Sequence, residues 1–206
     1  MKKYFYLLLL LPFLSFSKFY SGEITLKDKS VKKGLIELPD SSTDKHIKFK
    51  ESEKSKSEKI ELEEIIFFSI VNDKRQTSKF IITYLAKFKP FSKTNEIKID
   101  KNLSCVRVVK EGKINLYYGW FVSSGYGALG TPMNQESGLY FVNRPNENFV
   151  ILLHDSEPVN WFSFLKTNVE KIFIDDCPKF HETLDKKVIK DKGIIHIVDL
   201  FEQNCN

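Results

Sequence analysis

From residue 22 to residue 155, apolar and polar positions alternate mostly with period two. Ile24 and Leu26 stand between polar neighbours, Lys27-Asp28-Lys29-Ser30 makes a turn, and residues 31–38 form the return strand. Ile47 and Phe49 alternate with His46, Lys48 and Lys50. A tip of Glu, Ser and Lys over residues 51–59 separates them from Ile60 and Leu62, and the flanking alternation makes it a hairpin loop. Residues 65–71 and 80–88 are near-continuous apolar runs, as expected for strands covered on both faces. Lys110-Glu111-Gly112 joins strands over 103–109 and 113–122. Asn143-Arg144-Pro145-Asn146-Glu147-Asn148 is turn chemistry between strands over 139–142 and 149–153. About nine or ten short strands at regular spacing predict an antiparallel β-sandwich or open barrel.

After Asp155 the period lengthens. Phe162, Leu165, Val169, Ile172 and Phe173 follow helical spacing, with Pro158 near the expected first turn. Asp175-Asp176-Cys177-Pro178 is expected to stop that helix and start another, a carboxylate capping and proline just inside. Asp191 is placed to cap a last segment whose Ile194, Ile195, Val198 and Leu200 or Phe201 form one apolar face. The fold class expected is therefore α+β. A β-rich body spans residues 18–155, and a helical unit over 156–206 packs on the sheet, because its helices are too short to be stable alone.

The first seventeen residues carry a different signal. Lys2 and Lys3 precede an apolar run over residues 4–14, then Ser15-Phe16-Ser17, the basic, apolar, small-x-small order of a secretory signal peptide cleaved after Ser17. The run is shorter than the roughly 20 apolar residues that span a bilayer. No later run approaches that length, so the expected product is exported, periplasmic or extracellular, without a transmembrane segment. The formal charge of +5 falls to +3 once Lys2 and Lys3 are removed, far from the concentrated positive field that nucleic acid demands. Hydrophobic content of 42% with 18 Phe argues for a packed core rather than disorder.

In an exporting compartment three cysteines allow three pairings. Cys177 with Cys205 is favoured, since both sit at ends of predicted helical segments. Cys105 then remains as a small buried apolar residue in a strand.

Gly125-Tyr126-Gly127-Ala128-Leu129-Gly130 spells G-x-G-x-x-G after a strand. Thr131-Pro132 follows instead of a helical repeat, and no acidic residue stands at a strand end about 20 residues on, the nearest candidate, Glu147, falling in a turn, so no nucleotide or other cofactor is expected. Residues 123–138 read as a long loop between strands, and long loops are often functional. Trp120, Tyr126 and Met133 would give it a stacking surface for a sugar or a peptide. For hydrolysis, His154-Asp155 at a strand end is the most site-like pair, with Ser123, Ser124 or Cys105 as partner, but no G-x-S-x-G elbow is present. No metal-ligand spacing occurs; His181-Glu182 would need Asp185 as a further ligand, and a solvated helical face is the simpler reading.

Gly22-Glu23-Ile24-Thr25-Leu26-Lys27-Asp28 with Gly34-Leu35-Ile36, and the tail from Asp176-Cys177-Pro178 through Val198 to Asn204-Cys205, resemble uncharacterised exported proteins of Bacteroidetes-type bacteria. The resemblance implies an envelope or secreted location and a helical ending with paired cysteines. It implies no activity and no active-site residues.

The function expected is a non-enzymatic binding or interaction protein of the bacterial envelope, with an envelope protein or a glycan as partner. A secreted hydrolase using His154 and Asp155, or a structural subunit of a surface assembly, are the alternatives.

Overall fold

A single continuous sheet of ten strands organises the described residues. The structure, a computed structural model, describes residues 18–89, 95–126, 132–144, 147–155 and 160–205. The strands are β1 (Phe19–Leu26), β2 (Val31–Glu37), β3 (His46–Lys50), β4 (Glu58–Glu61), β5 (Ile65–Val71), β6 (Thr77–Phe88), β7 (Ile97–Lys110), β8 (Leu116–Tyr126), β9 (Pro132–Val142) and β10 (Phe149–Asp155). Three helices follow: α1 (Trp161–Phe173), α2 (Lys186–Lys192) and α3 (His196–Asn204). The expected export signal, residues 1–17, lies outside the described residues, as does Pro158.

Strand order is β10-β9-β8-β7-β6-β5-β1-β2-β3-β4, and β10 returns to pair with β6. That closing pair is parallel and three residues long: Phe149 opposite Tyr84, Val150 opposite Leu85, Ile151 opposite Ala86. Strands β6 to β10 therefore form a closed five-stranded barrel. The sequence pattern predicts an open barrel or sandwich of antiparallel strands; period two fixes which residues face the core but not which strand closes on which.

Leu85, Val106, Tyr117, Phe141 and Val150 fill the barrel. The opposite face of the same strands has two coverings. At one end Leu116, Val142, Ile151 and Leu153 meet Leu165, Val169, Ile172, Ile197 and Val198 of the helices. At the other end Phe80 and Cys105 join Ile24, Ile36, Ile47, Phe49, Ile60 and Phe68 as the sheet β1–β5 rolls back over the barrel. Rolling requires close backbone approach, and Gly22 stands directly opposite Gly34 on β1 and β2. A Cβ on Gly22 would lie 2.2 Å from the Ser69 carbonyl oxygen, and one on Gly34 2.2 Å from that of Lys50.

At the helical end, Phe173, Phe180 and Phe201 pack ring against ring, with centroids 4.8 to 5.5 Å apart. Cys177 and Cys205 are disulfide-bonded, the pairing favoured from sequence, with Cα atoms 5.7 Å apart. The helix expected after Asp176-Cys177-Pro178 is only a 3-10 turn, Phe180–Thr183, in which buried Phe180 anchors the chain without a side-chain cap. Asp191 lies inside α2 and does not cap α3. The cap that forms is Asp185, which accepts from Val188 N at 2.9 Å. Gly193, at φ 79°, then ends α2. The buried face of α3 is Ile197, Val198 and Phe201, while Ile195 is exposed.

Candidate functional site

Strands β7 and β8 pair from Lys110/Leu116 to Arg107/Tyr118 and then part. Ser42, from the β2–β3 connection, fills the gap. Its N–H donates to Trp120 O at 2.7 Å, and its carbonyl accepts from Cys105 N at 2.8 Å. Its hydroxyl accepts from Trp120 N at 2.9 Å. Ser42 is fully buried and satisfies backbone groups on both strands, as a buried backbone must. Trp120 is half-buried here: its indole Nε1 donates to Pro39 O at 3.0 Å, and its ring meets Phe80 edge-on.

Beyond this wedge, β8 and β9 continue together as a two-stranded ribbon from Trp120/Gly138 to Tyr126/Pro132. Residues 123–138, expected to be a loop, are thus strand over most of their length; Ser123, Gly125 and Glu136 gave too weak an apolar alternation to read as one. Past Trp120 on β8 and before Gly138 on β9, no third strand pairs with the ribbon among the described residues. The outer edge β4 is four residues of Glu-Lys-Ile-Glu, the charged blunting that keeps an edge from pairing. The ribbon is the contrary case. Its edges read Val122-Ser123-Ser124-Gly125 and Asn134-Gln135-Glu136-Ser137, with one charge between them, and Val122 is exposed. Of the three residues proposed for stacking, Trp120 is built into the wedge, whereas Tyr126 and Met133 lie on the ribbon with Gly125 opposite Met133 and Tyr126 opposite Pro132. The glycine motif begins in β8 and β9 starts at Pro132; residues 127–131 lie outside the described residues.

Between the two coverings of the barrel runs a row that sequence reasoning missed. Arg107, Tyr118, Tyr140 and His154 stand directly opposite one another across β7, β8, β9 and β10. The Arg107 guanidinium sits 5.2 Å from the Tyr118 ring centre, and Tyr118 is 5.2 Å from Tyr140. His154 stacks on Tyr140 and meets Trp161 edge-on. Exposure falls along the row, from exposed Arg107 to buried His154. The residues alternate correctly in sequence, but only register places them in one line.

His154 is the end of that row. A bulge between Leu152 and His154 leaves the Leu153 carbonyl free, and buried Asn168 on α1 donates to it at 3.1 Å. Among the described residues His154 Nδ1 has no hydrogen-bond partner, and burial pushes the imidazole below its usual range while Asp155 partly offsets this. No serine or thiol bonds to His154 among the described residues. Cys105 is fully buried, and burial pushes its thiol far up, away from the thiolate a nucleophile needs. His181 lies in the 3-10 turn, and no group of three or more His, Cys, Asp or Glu is placed to hold a metal ion among the described residues. No described helix is long and apolar enough to cross a membrane. Compared with known proteins, the chain matches no family model, no curated protein and no solved structure.

Proposed function

We propose that this is an exported, non-enzymatic interaction protein of the bacterial envelope that binds an extended segment of a partner protein along its β8–β9 ribbon. The observation that carries the reading is the ribbon's pair of nearly uncharged edges, Val122-Ser123-Ser124-Gly125 and Asn134-Gln135-Glu136-Ser137, along which no third strand pairs among the described residues. An extended peptide adds to such an edge through main-chain hydrogen bonds, with alternate side chains supplying selectivity. The basic-apolar-small N-terminus and the resemblance to exported proteins support the location, and the disulfide suits an oxidising compartment. Anchoring by Ser42 supports the role, because an isolated two-stranded ribbon is marginal in water and needs a rigid base.

The test shortens the ribbon without touching its base. Replacing residues 124–134 by Asn-Gly joins Ser123 to Gln135, already a facing pair, through a two-residue turn. Crosslinking in the native envelope should recover a partner with the full chain and lose it with the shortened one, while the melting temperature stays put. Recovery of the same partner by the shortened chain would refute the proposal.

A further inference from the structure

The barrel's seam points to a second, separate site. The parallel pair β6–β10 ends at Ala86/Ile151, and beyond it the strands diverge. Helix α1 crosses the opening, and a groove of about 440 Å³ remains between them. Phe88, Leu152 and Phe164 form its apolar floor and wall, with Thr167 and Asn168 on the helix side. Leu152 also packs against the barrel core, so the groove leads toward the interior. Phe164 is 40% exposed although it is a large aromatic on a helix that buries its other face.

The rim is cationic. Lys87, Lys89 and Lys171 line the groove, and among the described residues no carboxylate does. Glu96 is taken up by Lys89 at 2.6 Å. Among the described residues no acid lies within ion-pair distance of Lys87 or Lys171; the Lys171 ammonium instead sits 5.5 Å from the Phe88 ring centre. Lys98 faces Lys87 directly across β6 and β7, a like-charge pairing that opposes stability and that an anion would relieve. An exposed aromatic floor under unpaired ammonium groups matches a molecule with an apolar tail and a negative head. The volume falls in the range of small-molecule sites, roughly 300–1,000 Å³.

We infer that this groove binds a monomeric anionic amphiphile of the fatty-acid class, with its carboxylate at Lys87 and Lys171 and its alkyl chain along Phe88, Leu152 and Phe164. The site is separate from the ribbon, so it stands or falls independently of the proposed interaction.

The probe is dodecanoate, kept below its micelle concentration and followed by calorimetry on the full chain. It should bind saturably, with dodecanol weaker by about tenfold or more, the loss expected of a charge-assisted contact. Lys87→Glu/Lys171→Glu should lose binding by a similar factor, while Lys33→Glu/Lys59→Glu, the same charge change elsewhere, should keep it. Phe164→Ser should weaken dodecanoate and dodecanol alike. Circular dichroism confirms that each variant is folded, and the lysine pair is on the surface, so it remains informative if Phe164→Ser unfolds. Absence of saturable dodecanoate binding, equal affinity in the Lys87→Glu/Lys171→Glu variant, or binding only to anionic vesicles would each overturn the inference.

Discussion

The backbone of Ser42 hydrogen-bonds to that of Trp120 while its hydroxyl accepts from the same tryptophan's N–H, so one residue of a loop stands in for a missing strand between β7 and β8. This contact joins the rolled sheet β1–β5 to the barrel at the root of the ribbon. Ser42→Ala keeps the main-chain bonds but strands the Trp120 N–H in a buried place. A buried donor left unsatisfied costs about 1–3 kcal/mol. Urea unfolding should show that loss, and a loss under about 0.5 kcal/mol would mean that water or a shifted carbonyl replaces the hydroxyl.

His154 makes stability depend on acid. Its folded-state pKa is held below the ordinary value, chiefly by burial against Tyr140 and Trp161. The unfolded chain therefore takes up a proton at about pH 6.5 while the folded chain resists it. The neutral imidazole's stability is fully present above that pH and is lost as pH falls toward the folded value. Melting temperature should drop on going from pH 7.5 to pH 5, and His154→Phe, which keeps a ring in the stack, should flatten that drop. An unchanged slope in His154→Phe would assign the acid sensitivity to another group.

Much of this arrangement was legible in the residues. Alternation around Ile24, Ile47, Phe49 and Ile60 located strands whose inward positions are buried, and the helical spacing of Leu165, Val169, Ile172 and Phe173 gave the covered face of α1. What failed were features decided by partners distant in sequence. The ribbon reads as a loop because polar residues on a two-sided exposed strand carry no period. Asp191 looks like a cap, yet Gly193 at positive φ breaks the chain two residues later and places Asp191 in the preceding helix. Ser42 gives no local signal at all, since its role exists only where β7 and β8 separate. The Tyr118–Tyr140–His154 row and the groove at the seam likewise depend on register and closure, which alternation leaves open.

The disulfide ties the start of the 3-10 region to the end of α3, 28 residues on. Lys113 also donates from its ammonium to the Cys205 carbonyl at 3.0 Å, and Lys110 pairs with Asp199, so the chain's end is fixed to the β7–β8 turn. Closing a loop of that length in the unfolded chain contributes ~3–4 kcal/mol by the entropy argument. Cys177→Ser/Cys205→Ser should lose that much in urea unfolding, and reduction of the wild-type chain should lose it too. A double variant as stable as the oxidised protein would show that Phe173, Phe180 and Phe201 hold the end without the bridge.

Two glycines separate close packing from backbone freedom. Gly22 lies inside β1, and a Cβ there would meet the Ser69 carbonyl at 2.2 Å and the Ile36 side chain at 2.9 Å. The first obstacle is backbone of a neighbouring strand, so relief requires β1 and β5 to move apart. Gly193 has φ 79° and nothing within 4 Å of its added Cβ. With ψ 169° beside that φ, its backbone lies in a region that is essentially glycine's alone, so alanine there costs about 1–3 kcal/mol through the backbone, without a steric clash. Gly22→Ala should cost about 1–3 kcal/mol or more through overpacking and, unlike Gly193→Ala, should change the near-UV circular dichroism as the rolled sheet opens. A near-UV signal unaltered in Gly22→Ala, with a loss under about 1 kcal/mol, would mean that the curl of β1–β5 over the barrel does not depend on this glycine.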